Sequence, residues 1–203
     1  MILTNRPNIS KAHKLGHIAM HFYSPETPVI SVTLDGTPIS YSNASSSGNN
    51  IYVLHIPRST YSGAKKVQVT INGETKTINV VKRACKAYTI AWLNPIGGID
   101  HYTFYTDKEE SNDVTKEKIL TNNGYKLIAS DYDHNIIAYS DYENNDMLNW
   151  ISEIYSSPKT WLLEGDNITP IDILSSDLVT YSSDLTTVQI EFRLSKPVRL
   201  QRL

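Results

Sequence analysis

Asp100 and His101 are adjacent in this sequence and are the residues whose types most suggest acid–base chemistry. A carboxylate that orients a histidine belongs to the arrays that activate serine and cysteine nucleophiles. The chain has no G-x-S-x-G turn for such a serine, and no cysteine-protease signature surrounds Cys85, its single cysteine. A hydrolase built on His101 or Cys85 is therefore the least favoured of three functional hypotheses, and Cys85 is interpreted as a small core residue.

Residues 131–142 come closest to a calcium-binding loop, because Asp131, Asp133 and Asn135 have the spacing of its first three ligands. The sixth position of such a loop requires glycine and is Ile136 here, and the twelfth requires glutamate and is Tyr142. In a strand, the three polar residues share one face, which we expect to be solvated. An incidental cation site at Asp131 and Asp133 stays open, and no metal or cofactor is predicted.

The histidines form no recognisable metal motif. His17 and His21 are four residues apart, but the surrounding pattern is strand-like and the chain contains no H-E-x-x-H sequence. A zinc site would have to gather its ligands from separate segments, which the sequence does not predict.

The paired glycines Gly97 and Gly98 do not match a phosphate-binding loop. A dinucleotide fingerprint needs three spaced glycines between a strand and a helix, and a P-loop needs a following Gly-Lys-Ser/Thr. Here the turn lies between two aromatic, β-branched runs in AYTIAWLNPIGGIDHYTFY, residues 87–105. We expect the glycines to let the chain reverse, with the Asn94 side chain bonded to the backbone of the turn.

Composition narrows the class of protein further. The net charge of −2 and the scattered basic residues do not favour nucleic-acid binding. No run approaches the ~20 apolar residues that a transmembrane helix needs, and residues 1–14 lack the pattern of a signal peptide. A single cysteine excludes an intrachain disulfide, so we expect a protein made and assembled in a cytosol.

Residues 1–83 are predicted to form a polar arm or irregular lead-in at 1–14 followed by an immunoglobulin- or fibronectin-like β-sandwich. Hairpin signals occur at Asp35-Gly36 and Asn72-Gly73, short strand-like runs surround them, and no helical period is present. The second hairpin pairs Val67 with Ile78 but also Val69 with Lys76, which leaves its register insecure. Residues 43–50 are predicted to be a flexible loop.

Residues 84–203 are predicted to form a second β-rich unit with one amphipathic helix near 145–156, after a joint at 82–86. Apolar residues of 144–156 recur at helical spacing, with Asn145 or Asp146 as the cap. The segment 107–120 is ambiguous between a short helix and an exposed strand with a loop, whereas 125–142 is predicted to form one or two strands and 185–195 another. The aromatic hairpin is predicted to place five side chains on one face: Tyr88, Ile90, Trp92, Tyr102 and Phe104.

The motif WLNPIGGIDHYTFY at 92–105 resembles a pattern in virion proteins of tailed phages that infect Bacteroidetes, including crAss-like phages. The segments MLNWISEIYSSPKTWLLEGDNITPIDILSSD and TTVQIEFRLSKP are similar to the helix and closing strands of the same proteins, so the resemblance covers about 88–196. It implies a tail, neck or head–tail connector subunit that forms rings with itself and other virion proteins, assembled in the host cytoplasm. It also implies that seven residues define the fold of the turn and hairpin: Trp92, Asn94, Gly97, Gly98, Asp100, Tyr102 and Phe104.

The preferred hypothesis is therefore a non-enzymatic structural subunit of a virion. Its two β units, its many tyrosines and its lack of disulfides suit a protein that is stabilised partly by neighbouring subunits. The arm at 1–14 and the loop at 43–50 are the segments predicted to become ordered against those neighbours. The alternative is a surface adhesion or carbohydrate-binding module whose exposed aromatic residues stack on sugars.

Overall fold

The computed structural model describes residues 1–13, 16–40, 44–82, 86–106, 110–122, 124–164, 167–174, 187–195 and 199–202. The fold is mainly β, as predicted, and its strands form two units with separate hydrophobic cores. Residues 83–85, which include Cys85 and most of the predicted joint, lie outside the described residues.

The first unit is a two-sheet sandwich. Its elements are β1 (Ile9–His13), β2 (Ile18–Tyr23), β3 (Ile30–Leu34), β4 (Thr37–Ile39), β5 (Ala44–Gly48), β6 (Ile51–Ile56), α1 (Arg58–Tyr61), β7 (Lys66–Ile71) and β8 (Glu74–Val81). One sheet has the order β1-β8-β7-β3-β4 and the other β2-β6-β5, and β1 runs parallel to β8. Alternate residues from both sheets, among them Phe22, Leu54 and Val67, fill the core between them.

Both predicted hairpins are confirmed. Asp35 and Asn72 have positive φ angles of 50° each and precede Gly36 and Gly73, as a type I′ turn requires. Val67 lies opposite Ile78, and the pairing of Val69 with Lys76 also forms.

Two sequence predictions about the first unit are wrong. The described residues 1–13 are neither an arm nor an irregular lead-in throughout, because Ile2 and Leu3 are buried and β1 pairs with β8 along its whole length. Residues 43–50 are not a flexible loop in their described part, because β5 pairs with β6. A run of serines and glycine carries little hydrophobic signal, so pairing with a strongly β-forming neighbour decided the structure of β5.

The second unit is an eight-stranded antiparallel sheet with a helix against it. Its elements are β9 (Lys86–Leu93), β10 (Ile99–Thr106), β11 (Glu110–Thr121), β12 (Gly124–Tyr139), α2 (Asn145–Ser156), β13 (Thr160–Glu164), β14 (Asn167–Ile173), β15 (Gln189–Leu194) and β16 (Arg199–Arg202). The order β10-β9-β13-β14-β15-β12 closes on itself, because β10 also pairs with β12 at Tyr105 opposite Tyr139. We call these six strands the closed sheet.

Helix α2 buries the apolar stripe that the sequence predicts against the closed sheet. Met147, Trp150, Ile151 and Ile154 belong to one core cluster with the inward residues of the strands. The predicted cap is wrong by one residue, because the Asn144 side chain accepts the hydrogen bond from the Met147 backbone.

Candidate functional site: a buried clasp and a projecting arm

The hairpin of β9 and β10 contacts both units, one on each of its faces. Its alternate residues Tyr102 and Phe104 enter the core of the closed sheet. The odd-numbered residues of β10 face the sandwich. The Tyr105 ring lies 5.5 Å from that of His13, and His101 Nε2 donates to the His17 carbonyl at 2.6 Å. Both faces of this hairpin are therefore buried, which explains its nearly continuous run of apolar residues.

The predicted aromatic face of the hairpin is confirmed. Tyr102 lies opposite Ile90, Phe104 opposite Tyr88, and Trp92 opposite Asp100. The Tyr102 and Phe104 rings are 4.9 Å apart in an edge-to-face arrangement. The Trp92 ring lies 5.2 Å from that of Trp150 and so joins the hairpin to α2.

Asn94 organises the turn that follows β9. Its Oδ1 accepts hydrogen bonds from the backbone N–H groups of Ile96 and Gly98, as predicted for an asparagine at a tight turn. Its Nδ2 reaches further and donates to the Leu3 carbonyl at 2.8 Å. One side chain thus holds both the turn and a segment 91 residues earlier in the chain.

Asp100 collects hydrogen bonds from three different parts of the chain on one oxygen. Its Oδ2 accepts from Thr4 Oγ1 at 2.7 Å and from Trp150 Nε1 at 2.8 Å. The same oxygen accepts from Asn94 Nδ2 at 3.0 Å. A buried carboxylate with this many donors fixes the relative positions of the groups that donate to it.

Arg6 completes this cluster, which we call the clasp and define as Thr4, Arg6, Asn94, Asp100 and Trp150. The Arg6 guanidinium lies 5.0 Å from the centroid of the Trp150 ring, and its Nε donates to the Ser10 hydroxyl. Burial lowers the pKa of Arg6 to about 10, while the charge of Asp100 acts in the opposite direction. Arg6 therefore remains a cation at neutral pH.

Lys76, on β8 of the sandwich, is hydrogen-bonded to the segment that contains Arg6 and Asn8. Only 6 % of this residue is exposed, and its Nζ donates to the Arg6 carbonyl at 2.6 Å and to Asn8 Oδ1 at 3.1 Å. Burial lowers the pKa of Lys76. The pairing of Val69 with Lys76 thus buries a lysine where two oxygen atoms accept hydrogen bonds from its ammonium group.

The two glycines of the turn have different roles, so the prediction that both serve chain reversal is wrong for one of them. Gly97 has a φ of +90°, which favours glycine, and open space surrounds its α-carbon. A Cβ on Gly98 would lie 2.1 Å from the Leu3 carbonyl oxygen. Gly98 is therefore required for close approach of the Leu3 segment.

The geometry separates Asp100 from His101. These adjacent strand residues point to opposite faces of β10, Asp100 into the clasp and His101 toward the sandwich. Burial, helped by the charge of Arg6, lowers the pKa of His101 to about 3, so its imidazole is neutral. The pair does not form an acid–base dyad.

A second buried carboxylate lies beside the clasp. Glu143 accepts a hydrogen bond from the Tyr102 hydroxyl at 2.8 Å and pairs with the Lys11 ammonium at 3.2 Å. Burial raises the pKa of Glu143, and its two partners oppose that shift. These contacts join the loop before α2 to both β1 and β10.

The calcium-loop pattern lies in β12. The side chains of Asp131 and Asp133 lie outside the described part of the structure, whereas Asn135 is buried and not solvated as predicted. Among the residues that the structure describes, no three histidine, cysteine, aspartate or glutamate side chains are grouped as a metal site would require.

The outer part of the β11–β12 hairpin projects from the molecule. Residues 129–132 of β12 also pair with β16, whereas among the described residues 124–128 pair only with β11. The bulge between Glu117 and Lys118 marks where this projecting part begins. We call residues 118–122 and 124–128 the arm tip; five residues on each strand extend roughly 15 Å at about 3.3 Å per residue. Leu120 and Tyr125 lie opposite each other there and are 72 % and 76 % exposed.

Thr4 and Arg6 of the clasp, and the arm tip, were not predicted from the sequence. Thr4 and Arg6 lie in a polar segment with no periodic pattern, and their partners are distant in sequence. The run Lys118–Ile119–Leu120 and the later Tyr125 carried a signal, because they surround the turn residues Asn122 and Gly124.

Comparisons of the chain with family models, with curated proteins and with solved structures find no match. Across the part of the chain that the structure describes, no helix has both the length and the apolar character needed to cross a bilayer.

Proposed function

We propose that this chain is a non-enzymatic structural subunit of a tailed-phage virion, whose copies form a ring in the tail, neck or head–tail connector. The phage class rests on the resemblance carried by residues 88–196. Assembly with neighbours is supported by one observation, the exposed Leu120–Tyr125 pair on the projecting arm tip.

This pair supports assembly because of its position. Single exposed apolar residues are common on soluble proteins, but an apolar cross-strand pair at the end of a ribbon has little surface of its own chain to cover it. Ile119 and Ile128 are also exposed in the same arm tip. The strand β11 leaves one edge without a partner strand among the described residues, a second feature that favours contact with another chain.

Sedimentation velocity over a range of protein concentrations, together with negative-stain microscopy, tests the assembly. We expect the unaltered protein to form rings and the double variant Leu120→Ser/Tyr125→Ser to remain monomeric. The matched control is Val29→Ser/Ile168→Ser, since these residues are 74 % and 67 % exposed but lie outside the arm. Unaltered protein that stays monomeric at high concentration contradicts the ring.

Mass spectrometry of purified virions tests the phage class separately. We expect the chain to be present in many copies per particle. Its absence from particles, with its appearance only in the host-cell lysate, contradicts a virion role whatever the oligomeric state.

A further inference from the structure

A groove runs between residues 5–9, at the start of β1, and the first three turns of α2. Its volume is about 580 Å³. Asp146 and Glu153 give it two negative charges, and Ile9, 65 % exposed, lies at its side. Its lining residues are Asn5, Pro7, Asn8, Ile9, Asn144, Asp146, Asn149, Trp150 and Glu153.

Asparagine amides make this groove suited to an extended backbone. Four of its lining residues are asparagines, and an amide side chain can both donate to a carbonyl and accept from an N–H. The oxygens of Asn8 and Asn144 are used within the chain, by Lys76 Nζ and by the Met147 N–H. Their NH₂ groups make no hydrogen bond to the residues that the structure describes, so donors are available to a second backbone.

The arm tip carries the complementary chemistry. Its charged residues are Lys118 and Lys126, which give the arm tip a net charge of +2. Both lysine side chains are exposed, and Lys118 and Lys126 are within two residues of Leu120 and Tyr125 along their strands. The tip therefore combines an apolar pair, an excess of lysines and strand edges that pair with no third strand among the described residues.

We propose that the arm tip of one copy binds the groove of a second copy, an inference that rests on the proposed assembly of like subunits. The apolar pair covers Ile9 and Pro7, the lysines face Asp146, and the NH₂ groups of Asn8 and Asn144 bind the ribbon backbone. Arm and groove are different surfaces, so each copy gives one contact and receives one. Such head-to-tail contacts close into a ring when the rotation between copies permits it.

Charge reversal on each surface tests this contact. The arm variant is Lys118→Glu/Lys126→Glu, and the groove variant is Asp146→Lys/Asn149→Lys, all at exposed positions where folding should tolerate the change. At about 50 mM salt we expect each variant alone to weaken association at least about tenfold, because like charges then oppose each other. The remote control Lys65→Glu/Lys66→Glu should associate as the unaltered protein does.

Mixing the two variants distinguishes this contact from any other. In the mixture each acidic arm meets a basic groove and each basic arm meets an acidic groove, so we expect association to return. The chain that carries all four substitutions should also associate with itself. If Leu120→Ser/Tyr125→Ser abolishes rings but the mixture stays dissociated, the groove is wrong and the assembly stands; if unaltered protein never associates, both are overturned.

Discussion

Ile90 with Tyr102 and Leu120 with Tyr125 are two aliphatic–tyrosine pairs, each made across neighbouring antiparallel strands. The first pair is buried in the core of the closed sheet, and the Tyr102 hydroxyl is bonded to Glu143 and to the Asp141 N–H. The second pair stands in solvent on the arm tip. The same local chemistry therefore stabilises the chain itself in one hairpin and is available to another chain in the other.

Truncating the aliphatic member of each pair tests this comparison most directly. We expect Ile90→Ala to lower the free energy of unfolding by about 3 kcal/mol, because it removes buried contacts and leaves a cavity. Leu120→Ala should change it by less than about 0.5 kcal/mol in the monomer. Urea unfolding at a protein concentration too low for association measures both, and equal losses would mean that the arm tip is packed within its own chain.

The turn glycines of the buried hairpin provide the next test. Gly98→Ala should cost about 3 kcal/mol, because its Cβ has to displace the Leu3 backbone. Gly97→Ala should cost about 1 kcal/mol, because only its positive φ opposes a side chain.

Hydrogen exchange separates the two effects. Gly98→Ala should raise exchange at residues 3–6, whereas Gly97→Ala should leave that segment protected. The same exchange pattern in both variants would show that the turn, and not close approach of Leu3, is what Gly98 serves.

His101 gives the smallest of the three effects, a dependence of stability on pH. Its pKa is about 3 in the folded protein and about 6.5 when unfolded, so between these values the unfolded state binds a proton that the folded state does not. Stability therefore falls as the pH falls, by about 2 kcal/mol between pH 7 and pH 5.

His101→Gln keeps an N–H donor for the His17 carbonyl and removes the titrating group. Urea unfolding at pH 7, 6 and 5 should give a curve flatter by about 2 kcal/mol than that of the unaltered protein. An unchanged curve for His101→Gln would show that another group carries the acid sensitivity.

Local sequence signals predicted much of this fold because their causes are local. Asp35-Gly36 and Asn72-Gly73 define turns by their own φ angles, and the stripe from Met147 to Ile154 defines α2. The aromatic face of the β9–β10 hairpin follows from the two-residue period of a strand.

The clasp was not predictable in the same way. Asn94 and Asp100 bind Leu3 and Thr4, and no spacing within one segment indicates a partner more than 90 residues away. The charged run of β11 hides a strand for a related reason, since its pairing with β12, and not its composition, makes it one. The structure of the clasp and of β11 is therefore determined by contacts with residues distant in the sequence.

Strand β12 runs without a break from Gly124 on the arm tip to Tyr139 in the closed sheet. A force applied to the arm tip is consequently transmitted along the backbone of β12 into the closed sheet, with no loop between them. The arm should behave as a stiff lever, and tension between neighbouring molecules would be shared among the strands around the helix.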